Sequence, residues 1–177
     1  MRNLGSGKSR PTLYGIIFLI LGFLHILIPA WGIIIPDIGA SFYWYWGFYF
    51  AGAGGTIHTG ILSNEDVVTA GRTAMTLMII CFVILTITFI LAKAKKVFKT
   101  EKNLNIFGIV WLILGIIMLI APSIYLTTVS DSIFDEYSWG IGIFFSYGLA
   151  CGPFLLGILV LYSQMKGKKI GAKNNLN

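Results

Sequence analysis

Four long apolar runs restrict the folds available to this chain. They cover residues 13–31, 73–92, 106–125 and 139–162, and none of them contains Lys, Arg, Asp or Glu. A hydrocarbon core about 30 Å thick is crossed by on the order of 20 helical residues, so each run is long enough for one transmembrane helix. The runs therefore predict a membrane protein with four spans.

The overall composition points the same way. Of the 177 residues, 56% are hydrophobic and only 11% are charged, whereas an average soluble domain is about half apolar and about a quarter charged. A soluble fold of this size could not bury so much apolar surface. We therefore expect one integral membrane domain over residues 1–177, with outer loops at 32–72 and 126–138.

The charged residues predict the orientation, because Lys and Arg in short loops stay on the cytoplasmic side. All basic residues except Arg72 lie in the two tails and in the loop between the second and third spans. All acidic residues except Glu101 lie in the other two loops. We expect a plasma (cytoplasmic) membrane protein with both termini in the cytoplasm. The net charge of +6 is then a topology signal and not a nucleic-acid surface.

Several glycines have the spacing of helix contacts in membranes. Small residues let helix backbones approach closely where no hydrophobic force drives association. The first and third spans also share a similar pattern of Gly, Ile and Leu, which fits either a parallel repeat of two hairpins or chance recurrence. The glycines predicted to pack helices are Gly15, Gly22, Gly108, Gly115, Gly148 and Gly152.

An aromatic segment in the first outer loop has the periodicity of a strand. Residues 42–50 read FYWYWGFYF, which places Phe and Trp on one face and Tyr on the other. We expect a single strand here, with an interfacial aromatic belt as the alternative. Its Tyr face, formed by Tyr43, Tyr45 and Tyr49, is the candidate contact surface.

Turn-forming residues bound this segment on both sides. Residues 36–39 and 52–55 are rich in Pro, Gly and Asp or Ala, and residues 32–36 and 56–62 have the character of neighbouring strands. These features predict a small curled antiparallel sheet formed by the first outer loop. The loop is too short to fold alone, so the sheet should rest on the helices.

Reactive side chains are few. The chain has two His and two Cys; His25, Cys81 and Cys151 fall in predicted spans, and His58 falls in the outer loop. Catalysis needs several convergent groups, and ion pumping needs acidic residues within the membrane. We therefore expect no enzyme, no catalytic residue, no cofactor and no metal site. The sequence assigns no role to His25 or His58.

Several motifs accompany the order of spans and the loop lengths. They are Ile28-Pro29-Ala30-Trp31 at the end of the first span, Tyr45-Trp46-Gly47-Phe48-Tyr49 in the first outer loop, residues 69–75 around Arg72 at the opening of the second span, and residues 137–152 at the opening of the fourth. Together these features resemble the claudin group, within the superfamily that includes peripheral myelin and epithelial membrane proteins.

The resemblance implies a left-handed four-helix bundle bearing an extracellular sheet, with lateral assembly and contact between facing membranes. It also implies that Arg72 anchors the returning loop beside the aromatic residues. The chain departs from the family because it lacks the paired loop cysteines and their disulfide, and because residues 174–177 do not form a PDZ-binding end. The structural signature implied by the resemblance is Trp31, Gly47, Phe48, Tyr49 and Arg72.

Three functional hypotheses follow. The first is a non-catalytic, claudin-like protein that makes contacts in cis or in trans through its outer sheet, for adhesion, barrier formation or membrane organisation. The second is an accessory subunit of a larger membrane complex. The third is a paracellular-type or inter-protomer ion channel, because acidic outer loops would attract cations. The expected partners are the bilayer and a second copy or another membrane protein, with no nucleic acid and no PDZ domain.

Overall fold

A computed structural model describes the backbone of residues 10–94, 101–133 and 138–174, and the side chains of 16–91, 103–129 and 140–165. This part of the chain contains four helices and five strands. The helices are α1 (Arg10–Leu27), α2 (Glu65–Ala94), α3 (Glu101–Ile133) and α4 (Ile141–Asn174). The strands are β1 (Trp31–Ile35), β2 (Gly39–Tyr43), β3 (Phe48–Ala53), β4 (Thr56–Ile61) and β5 (Ser138–Trp139).

Helices α2, α3 and α4 are each long and apolar enough to cross a membrane, as three of the predicted spans require. Helix α1 contributes a shorter apolar stretch, Ile16–Leu27. It ends at Leu27 and does not reach Trp31, because Pro29 cannot donate a helical hydrogen bond and Trp31 already belongs to β1. The predicted boundary of the first span at residue 31 is therefore wrong, and the crossing by α1 stays a prediction.

The start of α2 is determined by a helix cap. The Asn64 side-chain oxygen accepts hydrogen bonds from the backbone N–H groups of Asp66, at 3.1 Å, and Val67, at 3.2 Å. These bonds satisfy donors that the first helical turn leaves without partners. Glu65 and Asp66 add negative charge where the helix dipole favours it.

The helices pack in chain order. Helix α1 lies mainly on α2, α2 on α3 and α3 on α4, while α1 and α4 meet over only a few residues. Apolar and sulfur-containing side chains fill the interior. Its most completely buried members include Met78, Leu85, Met118, Ile143 and Ala150.

Glycine contacts tie neighbouring helices together. A Cβ placed on Gly115 would lie 2.6 Å from the backbone of Phe154, and one on Gly22 would lie 2.8 Å from the ring of Phe82. Gly108 and Gly152 are similarly close to side chains of α4 and α1. Gly148 has no such neighbour within 4 Å, so it packs against none of the described residues. Gly15 lies outside the residues whose side-chain surroundings are described.

The four strands of the first loop form an antiparallel sheet, as predicted. Its order is β4-β3-β2-β1, and the two residues of β5 pair with the outer side of β1. The turn residues Gly54 and Gly55 have φ values of 57° and 82°; positive values at both positions are typical of a tight two-residue hairpin. The sheet lies at the end of the bundle where α1 ends and α4 begins, since Ala30 O accepts from Ile143 N at 3.2 Å.

The prediction of one strand over residues 42–50 is wrong, because the chain reverses at residues 44–47. Trp44 N donates to Phe48 O at 2.9 Å, and Gly47 N donates to Trp44 O at 3.0 Å. Gly47 has a φ of 91°, which a residue with a Cβ rarely adopts. The aromatic segment is therefore a hairpin, in which Phe42 pairs with Phe50 and Tyr43 with Tyr49.

Candidate functional site

The reversal at residues 44–47 places Tyr45 beneath the sheet, inside the end of the bundle. The side chain is 1% exposed, and its ring centroid lies 4.8 Å from that of Tyr125 on α3. The Tyr45 hydroxyl lies 3.0 Å from Ser146 Oγ on α4. Burial raises the pKa of Tyr45 above its ordinary value, so this side chain is neutral in the folded protein.

Ser146 joins three elements through one hydroxyl. Its Oγ donates to Gly142 O at 2.7 Å and lies 3.3 Å from Nδ1 of His25 on α1. A serine hydroxyl can donate only one hydrogen bond. Because Ser146 donates this bond to Gly142 O, the Tyr45 hydroxyl and the His25 Nδ1–H group donate to Ser146 Oγ. His25 is 1% exposed, and its Nε2 atom has no hydrogen-bond partner among the described residues.

A row of aromatic rings crosses one face of the sheet. Trp31 on β1 stacks on Tyr43 with ring centroids 4.2 Å apart, and Tyr43 lies 6.3 Å from Tyr49 on β3. Trp31 also donates from Nε1 to the hydroxyl of Tyr125 at 3.1 Å. This row attaches three strands to α3, so Tyr43 and Tyr49 are half-buried.

A second aromatic group lies where the hairpin meets α1 and α2. It consists of Trp44, Trp46 and Phe48, and is called the aromatic cluster below. The Trp46 and Phe48 rings stack at 5.2 Å, and Trp44 Nε1 donates to Leu27 O at 2.8 Å, which attaches the cluster to the end of α1. Arg72 Nε donates to Trp46 O at 3.5 Å, so this guanidinium contacts the backbone of the loop.

Strand β4 forms one edge of the sheet, with no strand beyond it in the described part of the chain. Two of its side chains, Ile57 and Ile61, are 68% and 66% exposed. His58 is also exposed and pairs across to Ala51 on β3. Proteins usually protect such an edge with Lys, Pro or a bulge, and residues 56–61 contain no Lys and no Pro.

The structure changes the predicted contact surface. Tyr45 is buried, so its assignment to an exposed contact face is wrong; the physical reason is the turn, which directs it into the bundle. Sequence reasoning missed Ser146 and the edge residues Ile57 and Ile61. A hydroxyl in an otherwise apolar run was the available signal for Ser146, whereas the exposure of β4 depends on which strand lies outermost.

The described residues bring no group of three or more His, Cys, Asp or Glu together. Cys81 is buried on α2 and Cys151 is exposed on α4. The described residues form a buried polar junction between sheet and bundle, and an apolar strand edge lies on the far side of the sheet. Such geometry can hold a binding surface in place.

A scan of the chain against protein-family models finds no match, and a search of curated proteins finds none. The resemblance to the claudins therefore rests on the residues quoted for it.

Proposed function

We propose that this is a non-catalytic, claudin-like membrane protein that makes protein contacts through its outer sheet, for adhesion, barrier formation or membrane organisation. The observation that carries the proposal is the exposed edge of β4 with Ile57 and Ile61. An unprotected apolar edge pairs readily with another strand, because its backbone N–H and C=O groups lack partners within the sheet.

The arrangement of the helices supports a fourth span. Helix α1 packs along α2, and its side chains that face away from the bundle are apolar. Phe23 is 64% exposed and Leu27 57% exposed, which is costly in water and suited to lipid. With α1 crossing beside α2, the sheet lies on the side of the membrane opposite both termini. The charge distribution predicts that this side is the outer one.

The hairpin geometry determines which β4 groups face outward. A two-residue loop makes its flanking residues, Ala53 and Thr56, a hydrogen-bonded pair. Hydrogen-bonded and non-hydrogen-bonded pairs alternate along an antiparallel ladder. Ile57, Thr59 and Ile61 therefore direct their backbone groups away from β3 and toward a partner.

A second copy of the chain fits this edge. If two β4 strands pair antiparallel about Thr59, each Ile57 lies opposite Ile61 of the other copy. The same residues then serve on both sides, as a two-fold interface requires. Apolar side chains opposite each other on one sheet face stabilise the pairing, so β4 suits self-association either within one membrane or between two.

The test is clustering of liposomes that carry the protein with its sheet outside. We expect the double variant Ile57→Lys/Ile61→Lys to abolish clustering, because like charges would lie along the paired edge. Ile38→Lys is the matched control, since Ile38 is 62% exposed but lies in the β1–β2 turn. Equal clustering by the double variant and the wild type would reject the edge as the contact.

A second candidate is an accessory subunit of a larger membrane complex, and the exposed face of α4 favours it. Gly148 lies on this face, between Phe144, which is 71% exposed, and Leu155, which is 54% exposed. Glycine at an exposed position of an apolar helix gives a partner helix close access to the backbone. This face could therefore bind a helix of another membrane protein.

A further inference from the structure

An apolar groove of about 440 Å³ runs between α1 and α2, from the middle of these helices toward the sheet. Its lining is hydrocarbon throughout, and its floor is closed by Gly22, where a Cβ would meet the Phe82 ring at 2.8 Å. A groove without polar groups gives a polar ligand nothing to bond. The side chains that line it include Leu19, Phe23, Ile26, Ile79, Phe82 and Val83.

Arg72 lies on the same face of α2 as the groove. Ile79 and Val83 follow it by seven and eleven residues, which is close to a whole number of helical turns. At 1.5 Å per residue, Arg72 lies about 10 Å above Ile79 and about 16 Å above Val83. It is exposed, and among the described residues its side chain donates one hydrogen bond, from Nε to Trp46 O.

The aromatic cluster lies beside Arg72, since Trp46 O accepts the Arg72 hydrogen bond, and its composition is typical of a membrane surface. Trp46 is 43% exposed, and Trp44 is bonded to the carbonyl of Leu27 at the end of α1. Tryptophan is enriched at the boundary between hydrocarbon and headgroups. Along the helix axes, Arg72 and the two tryptophans therefore lie at the level expected for the membrane interface. The apolar groove begins directly below them, on the side of the hydrocarbon core.

We propose that Arg72 and this groove together bind one phospholipid of the outer leaflet, with the phosphate on the guanidinium and one acyl chain in the groove. Half of a hydrocarbon core about 30 Å thick is about 15 Å, which matches the distance from Arg72 down to Val83. The planar guanidinium presents paired donors suited to phosphate oxygens. The site is separate from the β4 edge, so it does not depend on the proposed sheet contact.

The test is native mass spectrometry of the full-length protein in detergent, titrated with phosphatidylglycerol. We expect one lipid per chain, bound about fivefold more tightly than diacylglycerol with the same acyl chains, which corresponds to one basic residue at a membrane surface. Inorganic phosphate at the same concentrations should neither bind nor compete. Binding of phosphate alone would show an anion site and would overturn the lipid proposal.

Substitutions at two positions separate binding of the lipid headgroup from binding of its acyl chain. Arg72→Gln should weaken phosphatidylglycerol binding about fivefold and leave diacylglycerol binding unchanged, while Arg72→Lys should keep most of the affinity. Val83→Trp should block both lipids by filling the groove. Ile80→Trp is the matched control, because Ile80 is also 50% exposed on α2 and lies outside the groove lining.

The substituted positions are all exposed, so unchanged thermal unfolding is the expected folding control. Equal lipid binding by Val83→Trp and Ile80→Trp would overturn the proposal. A dimer that excludes lipid and disappears in Val83→Trp would also overturn it, because it would show a second copy of the chain in the groove.

Discussion

Ser146 is the residue through which the outer loop and the bundle are joined most directly. Its hydroxyl contacts Tyr45 of the hairpin, His25 of α1 and the backbone of its own helix. The side chains of Ser146, Tyr45 and His25 are all nearly or completely buried. A buried polar atom that loses its partner destabilises the fold by more than an average hydrogen bond stabilises it. The junction therefore depends on one side chain that is small enough to reach three partners.

We predict that Ser146→Ala lowers the free energy of unfolding by about 1 to 3 kcal/mol, because Tyr45 and His25 both lose a hydrogen-bond partner. Tyr45→Phe should cost less, about 0.5 to 1.5 kcal/mol, since Ser146 keeps its bond to Gly142 O. Reversible unfolding in mixed detergents measures both. Ser163→Ala is the control, because Ser163 is exposed and, among the described residues, its hydroxyl bonds to Val160 O of the same helix. An equal loss of stability there would contradict the prediction.

Among the secondary-structure elements, the aromatic segment 42–50 shows how one alternating sequence pattern fits both a strand and a hairpin. Its two ends, Phe42-Tyr43 and Tyr49-Phe50, mirror each other, so the Phe and Tyr that alternate along a strand also pair across a hairpin. Periodicity distinguishes faces but does not report where the chain reverses. The informative residue was Gly47, whose conformation allows the turn. A Cβ placed on Gly47 would lie 3.0 Å from a methyl group of Val68.

Substitution of Gly47 distinguishes a continuous strand from a hairpin by the sign of its effect on the free energy of unfolding. In a continuous strand, Gly47→Ala would be neutral or stabilising by about 0.5 to 1 kcal/mol. In the hairpin it should destabilise by about 1 to 3 kcal/mol, because the φ of 91° is strained for Ala and Val68 is close. Thermal unfolding measures the difference. Gly54→Asn should be nearly neutral, since its φ of 57° suits Asn and nothing lies within 4 Å.

At the scale of the whole molecule, the helices form a series in which α1 contacts α2 far more than α4. This arrangement leaves two apolar features at membrane depth, the groove between α1 and α2 and the exposed face of α4 around Gly148. The sheet adds a third feature outside the bundle, the edge of β4. We propose a different kind of partner for each of the three features, namely lipid for the groove, a helix for the α4 face and a strand for the β4 edge.

The helix-binding role proposed for α4 can be tested apart from folding. Gly148→Leu should leave thermal unfolding unchanged, because a side chain there meets no described atom within 4 Å. It should, however, reduce the yield of a heteromer purified from native membranes, since leucine would hold a partner helix away. Leu155→Met is a volume-conserving control on the same face. A heteromer that survives Gly148→Leu would remove the support for an accessory subunit.

Features that depend on neighbouring residues could be predicted from the sequence. Uninterrupted apolar length predicted the three helices long enough to cross a membrane, and Pro, Gly and Asp marked the turns at residues 36–39 and 52–55. The burial of Tyr45 against Ser146 and the exposure of β4, in contrast, follow from the tertiary structure. These depend on contacts between residues far apart in the chain, such as Tyr45 and Ser146, and a pattern read along the chain carries no information about which distant elements meet.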